Sequence, residues 1–199
     1  MAAGRPRTFD IDEALEKVMR IYWKNGYSNT SLGNIIETLG VTKPSLYAAF
    51  GNKEQLFIAA LGHYLQTYLQ PNFEHLTHST NSLEDRLRNC LRSIASLFSP
   101  PNAPGGGCLF AHSLCEFTAD GMPEGAKMLL TELNHQQEEM LINFFADEIA
   151  KGNLKSDSPP RTVALFFMSV NGGIAALARC GTSLEDLNQM IDHGVKRLV

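Results

Sequence analysis

The chain has 199 residues, 44 % hydrophobic and 19 % charged, with a formal net charge of −4. That composition excludes global disorder and argues against a non-specific polyanion binder, and the length allows one medium domain or two small ones. Few charges over so much apolar content predict apolar surface buried between subunits or around a ligand.

The charge is unevenly spread. Residues 1–60 carry seven Lys/Arg against six Asp/Glu, and residues 61–199 carry ten against fifteen. A near-neutral head can hold phosphates only if its cations share a face, with the acidic body turned away.

Residues 1–8 read as a basic arm, with Arg5 and Arg7 flanking Pro6. Asp10 is placed to cap a first helix, with Glu13 to close a capping box and Phe9 to staple onto Ala14. Ile11, Leu15, Val18, Met19 and Tyr22 follow at helical spacing until Gly26. A second helix starts at Thr30 or Ser31 and buries Leu32, Ile35, Ile36 and Leu39. Gly40 is placed to end it in the left-handed conformation. Thr42 caps a third helix, Pro44 sits in its first turn, and Leu46, Tyr47 and Phe50 anchor it. Asn52 caps a fourth helix from Lys53, which Pro71 should stop.

Beyond it, Leu83 to Phe98 reads as a helix closed by Pro100-Pro101. The Pro- and Gly-rich stretch from Pro100 to Gly107 reads as a mobile loop. Cys108 to Phe117 is a short helix and Glu124 to Ala150 a long one. Arg161 to Arg179 is apolar on nearly all sides, and Ser183 caps a last helix. No segment has a strand pattern. The expectation is an all-α protein in two parts: a helix-turn-helix head with its basic arm over residues 1–52, and a ligand-binding and dimerisation body over residues 53–199.

Two helices about a tight turn, the second small and polar at its start, suit insertion into the major groove of DNA. Lys43 and Ser45 can reach base edges, Tyr47 can give its hydroxyl to a phosphate while its ring packs inward, and Thr42 shares their helix start. Thr30 and Lys53 begin neighbouring helices and are placed to clamp phosphates. Arg5 and Arg7 can reach the backbone or the minor groove. A plain three-helix domain explains Thr42 as a cap, but not the basic arm. Ala48 and Ala49 offer nothing to read with, so tight specificity needs two copies and two half-sites.

For a subunit interface the sequence offers Phe166, Val170, Ile174 and Leu177 on the apolar helix, and Leu187 and Ile191 on the last one. Asn171-Gly172-Gly173 is placed to admit another backbone. Two such helices per subunit make a four-helix bundle. Candidate pocket residues in the body are Phe98, Cys108, Phe110, His112, Glu116, Phe144 and Phe167, although aromatic residues at helical spacing are more often core. Cys108 follows three glycines and opens a helix, where the helix dipole can lower a thiol pKa. His75 and His78 lack further ligands for a metal. No phosphate loop or catalytic triad is present, so neither cofactor nor enzyme activity is expected. The cysteines Cys90, Cys108, Cys115 and Cys180 show no Cys-x-x-Cys spacing, and no secretory leader or run of eighteen apolar residues appears. The chain is expected in the cytoplasm with no membrane partner.

The series from Ala14 to Gly26-Tyr27, then Thr30-Ser31 with Ile35, Gly40-Val41-Thr42-Lys43, Leu46-Tyr47, and Phe50 with Lys53-Glu54-Leu56 resembles the DNA-binding domain of the TetR family of bacterial transcriptional regulators. The likeness spans residues 9–57. It implies an all-helical homodimer that represses a gene by binding double-stranded operator DNA, released when a small-molecule effector in the body changes the spacing of the heads. It implies base and backbone contacts from Thr42, Lys43, Ser45 and Tyr47, and a phosphate contact from Lys53. Gly33 and Ala48 depart from the residues common there. The Gly107-Cys108-Leu109 step resembles family branches that sense reactive electrophiles, which adds a thiol-reactive effector to the possibilities. The competing expectation is a ligand carrier or enzyme that keeps a helical head.

Overall fold

Asp10 accepts the backbone N–H groups of Asp12 and Glu13, and this cap starts helix α1 (Ile11–Asn25) in a computed structural model that describes residues 10–77, 80–118, 121–155 and 157–198. The basic arm with Arg5 and Arg7, the Phe9 staple and His78 lie outside the described residues. Ser31 caps α2 (Leu32–Leu39), which ends at Gly40 with φ 64° and ψ 30°. Only a residue without Cβ enters that left-handed turn cheaply, so the angle between α2 and the next helix is fixed there. Thr42 then caps α3 (Lys43–Phe50), with Pro44 in its first turn. Asn52 and Gln55 form a reciprocal capping box that starts α4 (Lys53–Tyr64).

The fourth helix does not stop at Pro71. It widens into a π-helical stretch over Leu65–Leu69, where the Gln70 N–H reaches back to the Leu65 carbonyl. That resets the register, and Pro71 falls at the start of α5 (Gln70–Phe73), where a missing N–H costs little. Asn72 donates to the carbonyls of Tyr68 and Leu69, and a 3₁₀ turn carries the chain to Thr77.

The body follows: α6 (Leu83–Phe98), α7 (Leu109–Cys115), α8 (Glu124–Ala150), α9 (Pro160–Arg179) and α10 (Leu184–Leu198). Among the described residues there is no strand. Helices α6, α8, α9 and α10 pack as a bundle, with α7 across the end nearest the head. One apolar cluster runs through both parts, and α4 spans it. Trp23 on α1 sets its ring edge-on to Tyr64, 4.7 Å between centroids, so the head's first helix is packed directly against the body.

One further expectation changes. The loop before α7 is tied down: the buried Trp23 indole N–H donates to the Gly107 carbonyl at 2.8 Å, and the Gly107 N–H donates to Phe98. A Cβ at Gly106 or Gly107 would meet the Ala178 or Ala175 carbonyl below 3.0 Å, so these glycines let the loop lie against α9. Helix α9 is long and apolar enough by length and composition to cross a membrane, a test that the core helix of a soluble protein passes as well. A third of it is buried in this subunit.

Candidate nucleic-acid interface and effector cavity

The leading edge of α3 faces outward. Leu46 is buried and Phe50 half-buried, and they take the inward face. Thr42, Lys43 and Pro44 are exposed ahead of them and Ser45 is half-buried. The Thr42 hydroxyl accepts the Ser45 N–H and lies 2.9 Å from the Ser45 hydroxyl. The Tyr47 ring does not pack inward. It follows Leu46 by one helical step, about 100° around the axis, and is 38 % exposed with the Lys43 ammonium 5.5 Å above its face. One turn of α3 thus presents hydroxyls, a cation and a phenol on one outward edge.

The two flanking phosphate candidates are committed elsewhere. Thr30 is buried and its hydroxyl donates to the Gly26 carbonyl. The half-buried Lys53 ammonium donates to the Tyr27 carbonyl at 3.0 Å and lies 4.2 Å from the Tyr27 ring centre. Burial lowers its pKa, against a pull from Glu116. Both side chains fix the turn between α1 and α2 rather than extending freely from the surface.

The same turn is held from the body. Glu116, at the end of α7, accepts the N–H groups of Tyr27 at 2.8 Å and Ser28 at 3.2 Å. Glu116, expected from the sequence at a ligand pocket, is a clasp between body and head. Its neighbour on the helix face, His112, lines a cavity of about 170 Å³ under Arg179, with its buried Nδ1 unpartnered. Burial and the Arg179 charge keep the His112 pKa low. Arg179 donates to the carbonyls of Lys24 and Gly106, which ties α9 to the head as well.

Phe98, Cys108 and Phe110 do meet, around a cavity of about 100 Å³ between α6, α7, α8 and α9. A second cavity of about 200 Å³ shares Leu69, Phe110 and Gln137 with it and is walled by the π-helical stretch. Phe144 and Phe167 are elsewhere. Phe144 stands beside the Arg86–Glu148 ion pair at the far end of the body, and Phe167 is buried against Phe145. Sequence reasoning passed over Asn171 as a cavity residue. It lies four residues from Phe167 and three before Ile174, both buried, and that spacing already puts it on the inner face of α9.

Cys108 is buried and its thiol accepts a hydrogen bond from the Tyr64 hydroxyl at 3.2 Å. Burial raises its pKa and outweighs the hydrogen bonds from Tyr64 and from the start of α7, so the thiol is not activated by the helix end.

Residues 14–60 match the family described as bacterial regulatory proteins, tetR family. The chain is 32 % identical over 187 residues to the HTH-type transcriptional repressor ComR of Escherichia coli, spanning 94 % of this chain and 88 % of ComR. It is 26 % identical to the repressor BdcR of the same organism, across 92 % of this chain and 86 % of BdcR. A cysteine-substituted form of the TetR family regulator CifR, solved on a 26-base-pair operator duplex, superposes with a TM-score of 0.86. The identity is 29 %, covering 97 % of this chain and 98 % of that one.

The chain belongs to the TetR family. It is an all-α helix-turn-helix transcription regulator and not an enzyme.

TetR-family membership gives the apolar C-terminal helices a context, and the fold sorts the interface candidates. Ile174, Leu187 and Ile191 are fully buried inside the subunit, so they belong to its own core and not to an interface. Phe166 at 46 % exposure and Leu177 at 39 % point away from it, Val170 is half-buried, and Leu165 and Leu184 join the exposed set. Helix α9 is apolar on both sides because it packs inward through one and leaves the other uncovered.

Proposed function

We propose that this TetR-family regulator is a ligand-responsive repressor, cytoplasmic, binding a two-fold operator as a homodimer and leaving it when a small molecule enters the body. The observation that carries the reading is the outward edge of α3, where Thr42, Lys43, Ser45 and Tyr47 stand together on a helix whose far side is anchored by Leu46. The likeness to an operator-bound regulator over nearly the whole chain supports it. In this reading residues 1–52 form the DNA-binding part and residues 53–199 the effector and dimer part. Phe166, Val170, Leu177 and Leu184 pack against a second copy.

The cavities beside Cys108 support the effector role by position. Their walls include the π-helical continuation of α4, whose other end starts at Lys53 beneath the head, and Cys108 and Ala111 of α7, whose last turn leads to Glu116. An occupant that shifts α7 pulls on the clasp at Tyr27 and Ser28 and so re-aims α3. The buried, unactivated Cys108 favours a non-covalent effector over a thiol-reactive one.

The test is a titration of a selected operator duplex with purified dimer, comparing wild type with Lys43→Ala and Tyr47→Phe. Each variant should keep the dimer and lose about ten-fold or more in affinity, the lysine variant also with a shallower salt dependence. Unchanged affinity in both would transfer the reading to a carrier with an inherited head.

A further inference from the structure

The chemical class of the effector can be read from what lines the two cavities. Around the inner one stand Phe98, Phe110 and Met168, with Asn134, Gln137 and Asn171 as its polar members beside the Cys108 thiol. The adjoining one adds Leu65, Phe73 and Met140, with glutamines Gln70, Gln136 and Gln137. Among the described residues, no Asp, Glu, Lys, Arg or His side chain lines either. A charged ligand entering here would shed its hydration with no counter-ion to replace it, which is strongly unfavourable. Arg179, in the wall of the cavity beyond Cys108, already spends its guanidinium on the Lys24 and Gly106 carbonyls.

One polar atom at the inner cavity is unmet. Asn171 Oδ1 is buried and accepts no hydrogen bond. It stands in an otherwise apolar stretch of α9, where a side-chain carbonyl costs stability unless a donor meets it. The two volumes, about 100 and 200 Å³, are of the order that holds one aromatic ring each. Phe110 and Leu69 line both, so a ligand that fills the two together contacts Phe110, which sits in the first turn of α7.

We infer that the effector is an uncharged, largely apolar molecule of one to two rings carrying a hydroxyl or N–H group that donates to Asn171. The inference rests on the effector reading above and narrows it. Amides from α8 can meet further oxygens of the ligand, and contact with Phe110 carries its arrival into α7.

The single tryptophan supplies the readout, because Trp23 donates to Gly107, the residue before Cys108. The protein without DNA is titrated with benzyl alcohol, toluene, benzoate and benzylammonium, following Trp23 emission and the melting temperature. Benzyl alcohol should bind at least ten-fold more tightly than either ion and several-fold more tightly than toluene. In Asn171→Ala, checked for an intact melt, the alcohol's advantage over toluene should vanish. The wild-type ranking stands even if that variant folds poorly. Benzoate or benzylammonium binding as well as the alcohol, no advantage over toluene, or failure of all four to bind would overturn the assignment. Operator release is measured separately. Ranked binding without release would leave the ligand class standing and remove the effector role, whereas release by a charged compound alone would do the reverse.

Discussion

Cys108 and the Arg86–Glu148 pair show how burial sets the behaviour of single side chains. Cys108 is buried beneath Tyr64, and its thiol is held above the ordinary value near 9, so it stays neutral at physiological pH. The stability that shift contributes is full below pH 9 and is lost as pH rises through the folded value. Iodoacetamide at pH 8 should therefore alkylate the exposed Cys115 and Cys180 first, and Cys90 and Cys108 only on unfolding, as read by peptide mass spectrometry. Alkylation of Cys108 at the rate of Cys115 would restore it as a reactive sensor. At the far end of the body the buried Arg86 guanidinium donates to Glu148 and to the Leu76 carbonyl. Burial pushes the Glu148 carboxyl up, but the hydrogen bonds from Arg86 and Asn153 and the Arg86 and Lys151 charges prevail and hold it below the usual 4.5. The stability from that shift is present above pH 4.5 and is lost as pH falls through the folded value. Arg86→Met leaves the carboxylate buried without its partner and should cost about 3–5 kcal/mol in urea unfolding at pH 7. The cost should shrink in acid, and a loss independent of pH would contradict it.

Helix α9 illustrates what an element's pattern does and does not disclose. Its inward side is set by Phe167, Ile174 and Ala178, and its outward side carries Phe166 and Leu177. Phe166→Glu should give a folded monomer by light scattering, with its melting temperature little changed beyond the loss of association. Ile174→Glu should fail to fold, because it buries a charge in the subunit's own core. Dimers from Phe166→Glu would move the interface elsewhere. The sequence discloses the boundaries of this helix, of α6 and of α8 to within a residue, because proline, glycine and capping signals stand at each end. It cannot rank the apolar faces of α9, since both are equally apolar and only packing against α6, α8 and α10 chooses between them. The outward face of α3 is legible for a local reason: Thr42, Gly40 and Pro44 dictate where it starts, and Leu46 which side it buries. The hydrogen bonds of Lys53 and Glu116 are not legible in the sequence, because their partners Tyr27 and Ser28 are brought near only by the tertiary fold, whereas Thr30 reaches Gly26 four residues back along the chain. The π-helical stretch leaves only Pro71 as its mark, which from sequence reads as a stop.

Across the whole molecule, the head is fastened to the body at one corner. Trp23 to Gly107, Glu116 to Tyr27 and Ser28, and Arg179 to Lys24 bind the end of α1 to the loop before α7, to α7 itself and to α9. Each of these partners also borders the cavities around Cys108 or adjoins a residue that does. In the proposed release from DNA, motion of α7 or α9 reaches the base of the head through hydrogen bonds at these named atoms. An exposed apolar side of α9 sets two such subunits side by side in this account, so that two α3 edges face one side of a duplex. Selection of bound sequences from random duplexes by the purified protein tests this most directly. The account predicts a two-fold repeat with half-sites about one helical turn or more apart, enriched by wild type and lost with Lys43→Ala. A single unpaired half-site, or no enrichment by a well-folded dimer, would contradict it.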